Sequence, residues 1–204
     1  FSINVANVNN APTLVVPTGG SITEDASTSV VTGSLTGTDP ENDTLVYLVD
    51  GVTATSGSYT AVGSYGTLVL TSATGAYTYS INNAATSVQS LGAGDAVTEV
   101  FSVGLSDGIN TTVSQNLSFT INGTNDAPAN VSLTKTNVTE NSAGAIVGTL
   151  NATDPDGDAI TYSIANSGDG ASFEIDGSNN LKLKSTVVAD FSKKLCQNVL
   201  GFGA

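Results

Sequence analysis

Carboxylates gathered in short turns are the side chains of this sequence best suited to chemistry. One turn reads Asp39-Pro40-Glu41-Asn42-Asp43 and another Asp154-Pro155-Asp156-Gly157-Asp158. Such all-oxygen donors suit a hard divalent cation, and calcium takes six to eight oxygens at ~2.3–2.6 Å. An EF-hand is excluded, because its sixth position needs Gly and its twelfth an acidic ligand. Counted from Asp154, those positions are Ala159 and Ala165. Zinc is disfavoured, since the chain has no His and one Cys, Cys196. Nucleophilic couples of Ser or Cys with His are absent for the same reason. Paired carboxylates can hydrolyse glycosides, but these pairs sit beside repeat boundaries, and no Trp is present to stack a sugar. The sequence reads as no enzyme.

An Asp-Pro turn alone is ordinary turn chemistry. Its recurrence with its surroundings is not. Asn10-Ala11-Pro12, Ile22-Thr23-Glu24 and the turn at Asp39 are followed by Asp126-Ala127-Pro128, Val138-Thr139-Glu140 and the turn at Asp154. Pro12 and Pro128 are 116 residues apart, as are Glu24 and Glu140, and Asp39 and Asp154 are 115 apart. Three features kept in order and nearly in register mark a tandem repeat.

The elements that must carry these turns read as short strands. Val46–Val49, Leu68–Leu70, Tyr77–Ile81, Val100–Val103 and Leu117–Ile121 are β-rich, bounded by Gly, Asn or Asp, with no sustained helical period. The first repeat therefore has about seven strands, the number in an immunoglobulin-like sandwich. The second begins in the same way, with Ile160–Ile164 and Leu181–Lys184, and is expected to be truncated after about five strands. Residues 192–204 form an atypical tail, holding Cys196 and two of the five Lys. Phe1 opens inside a strand-like run, as expected for a piece of a longer chain. Tyr77 and Tyr79 share one strand face and are expected in the core.

Composition narrows the partners. The chain has 204 residues, five Lys, no Arg and eighteen acidic residues, for a net charge of −13. It repels phosphate backbones and anionic lipid, so nucleic acid is excluded as a partner. No apolar run approaches the ~20 residues of a membrane helix, so direct membrane insertion is not expected. One cysteine allows no internal disulfide. Bound cations are then the available staple.

The Asn-Asp-Ala-Pro linker, the Thr-Glu before the second strand and the Asp-Pro-Asp turn together resemble bacterial cadherin-like repeats. The first repeat is similar to the VCBS repeats of large secreted, RTX-type surface adhesins, and the second to a cadherin-type repeat. The resemblance implies an all-β chain of two tandem immunoglobulin-like, cadherin-like Greek-key β-sandwiches, the second truncated. Its divisions would be a leading linker at 1–10, a sandwich at 11–124, an incomplete sandwich at 125–191 and the tail. The implied function is a calcium-binding structural extender at the bacterial cell surface, serving adhesion or biofilm attachment. The other reading is a carbohydrate-binding or homophilic module, accessory to a secreted hydrolase. The implied partners are neighbouring repeats of the same chain, and cell-surface polysaccharide or a like protein. The implied ligands at the lower end of the first sandwich and the start of the second are Glu24, Asp95, Asn125, Asp126, Asp154, Asp156 and Asp158. Those at the upper end of the first are Asn9, Asn10, Asp39, Glu41, Asp43 and Asp107. Glu140 and Asp190, with Ser192 where an acidic residue is expected, make a poorer set.

Overall fold

Alternation of apolar with Ser and Thr residues makes strands with one buried face, and such strands dominate the chain. The computed structural model describes residues 1–3, 8–15, 17–110, 113–135, 137–165 and 168–190, and the backbone of 200–203. It forms two units, Phe1–Asn125 and Asp126–Ala204. In the first unit the strands are β1 (Thr13–Leu14), β2 (Ser21–Thr23), β3 (Val30–Ser34), β4 (Gly37–Thr38), β5 (Val46–Val49), β6 (Ser58–Val62), β7 (Gly66–Thr71), β8 (Ala76–Ile81), β9 (Ala96–Ser106) and β10 (Val113–Asn122). One short helix, α1 (Thr86–Gln89), lies between β8 and β9.

Two four-stranded sheets, ordered β2-β10-β9-β5 and β3-β8-β7-β6, enclose the core. Tyr79 of β8 stacks on Phe119 of β10 with centroids 4.2 Å apart, and Tyr77 meets the same ring edge-on at 5.9 Å. Both tyrosines are buried, as their shared face requires. The expectation of about seven strands differs from the ten segments observed among the described residues. Two strands are interrupted, giving β1 with β2 and β3 with β4. One strand, β6, was not anticipated, and it pairs with β7 across a turn at Gly63–Tyr65.

The first interruption has a local cause. Antiparallel β1 and β4 pair Thr13 with Thr38 and Leu14 with Gly37, and Val15 N donates to Thr36 O at 2.9 Å. Continued in register, the next outward-bonding residue would be Pro17, which has no N–H to give. The chain instead crosses to the other sheet and pairs β2 in parallel with β10. Gly19 permits the crossing, because a Cβ there would lie 1.6 Å from Ser118 O.

The second unit has β11 (Ala129–Leu133), β12 (Ile146–Thr153), β13 (Thr161–Ile164), a 3₁₀ turn at Gly168–Ser172, β14 (Phe173–Ile175), β15 (Asn180–Leu183) and β16 (Leu200–Gly203). Its sheets are β11-β12-β15-β14 and β13-β16. Val147, Leu150, Phe173, Leu181 and Leu183 make its buried core. The backbone of Leu200–Gly203, within the compositionally distinct tail, pairs with β13. Residues 191–199, and Ser192 with them, lie outside the described residues, as does Asn7. Among the described residues, no helix is long and apolar enough to cross a membrane.

Candidate metal centres

The two acidic turns fold alike, each within its own unit. In the first, Asp39 Oδ1 accepts from Glu41 N at 2.9 Å and Asp43 N at 3.0 Å. In the second, Asp154 Oδ1 accepts from Asp156 N at 3.1 Å and Asp158 N at 3.2 Å. The carbonyls of Asp39 and Asp154 each accept from the residue three positions on, Asn42 and Gly157, at 3.2 Å. Those two residues have φ of 61° and 80°, a conformation open to Asn and Gly. The Asp-Pro-x-Asn/Gly-Asp pattern therefore specifies one turn in which the first carboxylate caps the loop and the next two project beside it.

One oxygen of each leading aspartate remains. Asp39 Oδ2 and Asp154 Oδ2 are buried and have no hydrogen-bond partner, and the same holds for Asp156 Oδ1. A buried charged oxygen without a donor is costly, and a bound cation removes that cost. Asp154, Asp156 and Asp158 each offer a carboxylate oxygen, all within 4.8 Å of one another. Among the described residues this is the one group of three that meets that closeness. Asp39, Glu41 and Asp43 do not.

The difference lies in what holds the middle residue. Asp156 Oδ2 accepts from the backbone N of Asp126 at 2.6 Å, leaving Oδ1 for a ligand. The longer Glu41 is used at both oxygens by Asn10, whose N reaches Oε2 at 3.0 Å and whose Nδ2 reaches Oε1 at 2.6 Å. Each unit thus ties its leading linker to its acidic turn. Asn9 joins the same end of the first unit, its Nδ2 donating to Asp107 Oδ2 at 2.8 Å. Asp107 also accepts from the N–H groups of Asn110 and Ile109, both 2.8 Å from Oδ1, and from Asn110 Nδ2 at 3.0 Å. These bonds, the Asn110 N–H foremost, pull its carboxyl down to about 2.

At the opposite end of the first unit, Glu24 is fully buried. Its Oε1 accepts from Thr124 N at 2.8 Å, and its own N donates to Asn122 O at 3.0 Å. Asp95 reaches the same strand exit through its backbone, its carbonyl accepting from Gly123 N at 2.9 Å. Its carboxylate is exposed and accepts from Gly92 N at 3.2 Å. Asn125 is exposed and Asp126 half-buried. Glu140, the counterpart of Glu24, is exposed. Asn141 N donates to Ala189 O at 3.0 Å, which brings the backbone beside Glu140 next to that beside Asp190.

Glu99 was not singled out by sequence. It is buried at 7 % exposure, and its carboxylate accepts from Ser64 N, from Tyr65 N at 3.0 Å and from the Tyr79 hydroxyl at 2.7 Å. Burial first, and then this carboxylate, push the Tyr79 phenol well above its usual range. The signal was present in the sequence: Val97, Glu99, Phe101 and Val103 alternate onto one face of β9, and an acid in that series points inward.

The bacterial cadherin-like domain family matches residues 9–123. No curated relative matches the chain. The fold is similar to domains EC1-2 of human protocadherin-24, with 19 % identity over 91 % of this chain and 82 % of that one, and a TM-score of 0.50. It is also similar to the protocadherin GammaB4 extracellular domain, with 15 % identity over 92 % of this chain and 28 % of that one, and a TM-score of 0.53. With more than half of its length matched, the chain belongs to the bacterial cadherin-like domain family.

Proposed function

We propose that this chain is a calcium-binding structural repeat of a secreted bacterial surface adhesin, in which calcium at the acidic ends of the sandwiches stiffens the linkers. The observation that carries the reading is the Asp154, Asp156 and Asp158 group, with two buried carboxylate oxygens that no donor reaches. Its donors are oxygens only, which suits a hard cation and disfavours zinc. Asp126, tied by its backbone to Asp156, is the nearest linker residue to extend the set. In the first unit, Asp39 with its partnerless Oδ2 is the corresponding anchor, and Glu24 and Asp95 are the acids at the strand exit.

For the alternative of a carbohydrate-binding module, the tyrosines around β6 to β8 offer no exposed aromatic platform among the described residues. Tyr77 and Tyr79 are buried, and Tyr59 and Tyr65 pack against the core. Calcium at tenfold above a site's dissociation constant adds ~1.4 kcal/mol of stability per site. The test is a thermal melt of the chain in millimolar calcium and in chelator, repeated on Asp154→Asn with Asp156→Asn. The midpoint is expected to rise with calcium in the parent, and less in the variant. Equal midpoints for the parent in calcium and chelator would sink the reading.

A further inference from the structure

The crossing forced by Pro17 leaves one strand edge open. In the β3–β8 ladder, Ile81 N donates to Ser29 O at 3.1 Å and Leu35 N to Gly75 O at 2.8 Å. The register pairs Val31 with Tyr79 and Gly33 with Tyr77. Antiparallel pairs alternate between bonded and non-bonded, so Val31 and Gly33 spend their backbone groups on β8. The N–H and C=O groups of Val30, Thr32 and Ser34 point the other way. No backbone partner meets them among the described residues. A cleft of about 330 Å³ runs along this edge, between Thr32–Ser34 and the crossing segment at Pro17–Gly19.

Natural sheets blunt an open edge with Lys, charge, Pro or a bulge. β3, Val-Val-Thr-Gly-Ser, has none of these, and its register is unbroken. The other edges are shorter or partly used. At β6, Ser58 exchanges both backbone bonds with Thr55, and at β5 Tyr47 N donates to Ser72 O. β2 has three residues.

Charge says what fits the open edge. The first unit holds nine carboxylates and no Lys or Arg, and every one but buried Glu99 lies outside the strands. The outer row Thr32, Thr78, Val69 and Thr60 crosses the sheet without a charge. A basic or acidic partner finds nothing to pair with here. A second copy approaching at the acidic turns meets like charge, whereas at β3 it meets none.

We infer that two copies of this chain associate through β3, pairing antiparallel about Thr32. That register sets Thr32 against Thr32 and Val30 against Ser34 of the second copy, so every outward backbone group of β3 gains a partner. The contact is isologous and closes at two, and it joins the two four-stranded sheets edge to edge. It requires no metal.

Sedimentation equilibrium of the full chain, run in ~0.15 M salt with millimolar calcium and again with chelator, tests this. A concentration-dependent dimer is expected in both. Thr32→Glu, which places two carboxylates face to face at an exposed position, should weaken it at least tenfold, whereas Thr60→Glu on β6 should not. Circular dichroism and melting establish that both variants are folded. The N–H groups of Thr32 and Ser34 should exchange slowly with solvent at high protein concentration and quickly when diluted. A monomer up to millimolar concentration would overturn the inference. So would a dimer indifferent to Thr32→Glu, or one whose protection appears on β6.

Discussion

At the scale of single residues, the chain places carboxylates where their oxygens have defined partners, and their energetics follow from counting donors. Glu99 is the buried case. Tyr79→Phe keeps the ring stacked on Phe119 but strips Glu99 Oε2 of the donor at 2.7 Å. A buried acceptor left unmet costs ~1–3 kcal/mol, and urea unfolding should show that loss with an unchanged slope. Asp176 is the half-buried turn case. Its carboxylate accepts from Asn180 Nδ2 at 3.1 Å and from the N–H groups of Asn180 and Ser178, beside Lys182. The Asn180 side chain foremost, these partners hold its pKa below the usual carboxylate range. A group depressed on folding stabilises above its unfolded pKa and loses that stabilisation as pH falls through the folded value. Parent and Asp176→Asn should therefore differ in melting midpoint near neutral pH and converge as the solution is acidified through and below the usual carboxylate range. A gap that stays constant with pH would mean that the ionised form is not what matters.

At the scale of elements, alternation was legible and interruption was not. Val46–Val49 is a strand with the bounds its residues suggest, and the segments centred on Leu68–Leu70, Tyr77–Ile81, Val100–Val103 and Leu117–Ile121 extend by a few residues at their ends. Period-2 burial of Leu117, Phe119 and Ile121 explains why. The break between β1 and β2 depends on Pro17 meeting a register that only the fold defines. β6 escaped notice because Ser58, Thr60 and Val62 sit on a neutral outer face, with only Ala61 fully buried on the inner one. The acidic turns were legible because their spacing is local: an Asx cap, a left-handed residue and two following acids lie within five positions. Their inequality was not. Glu41 and Asp156 occupy the same place in the turn, yet one extra methylene lets Glu41 reach Asn10 with both oxygens while Asp156 keeps one oxygen partnerless.

At the scale of the whole molecule, a net charge of −13 sits almost wholly in turns rather than on sheet faces. Two effects of added cations must then be separated. Any salt screens repulsion among exposed carboxylates, with a Debye length of ~10 Å at 0.1 M, and so raises stability without binding. Specific coordination acts only where oxygens converge, as at Asp154, Asp156 and Asp158. Sodium chloride should raise the melting midpoint gradually towards a plateau. Calcium at matched ionic strength should raise it further and saturate, whereas magnesium, which demands near-octahedral geometry and keeps its waters, should achieve less. If calcium does no more than sodium at equal ionic strength, screening alone accounts for the effect, and the partnerless oxygens of Asp154 and Asp156 are met by water.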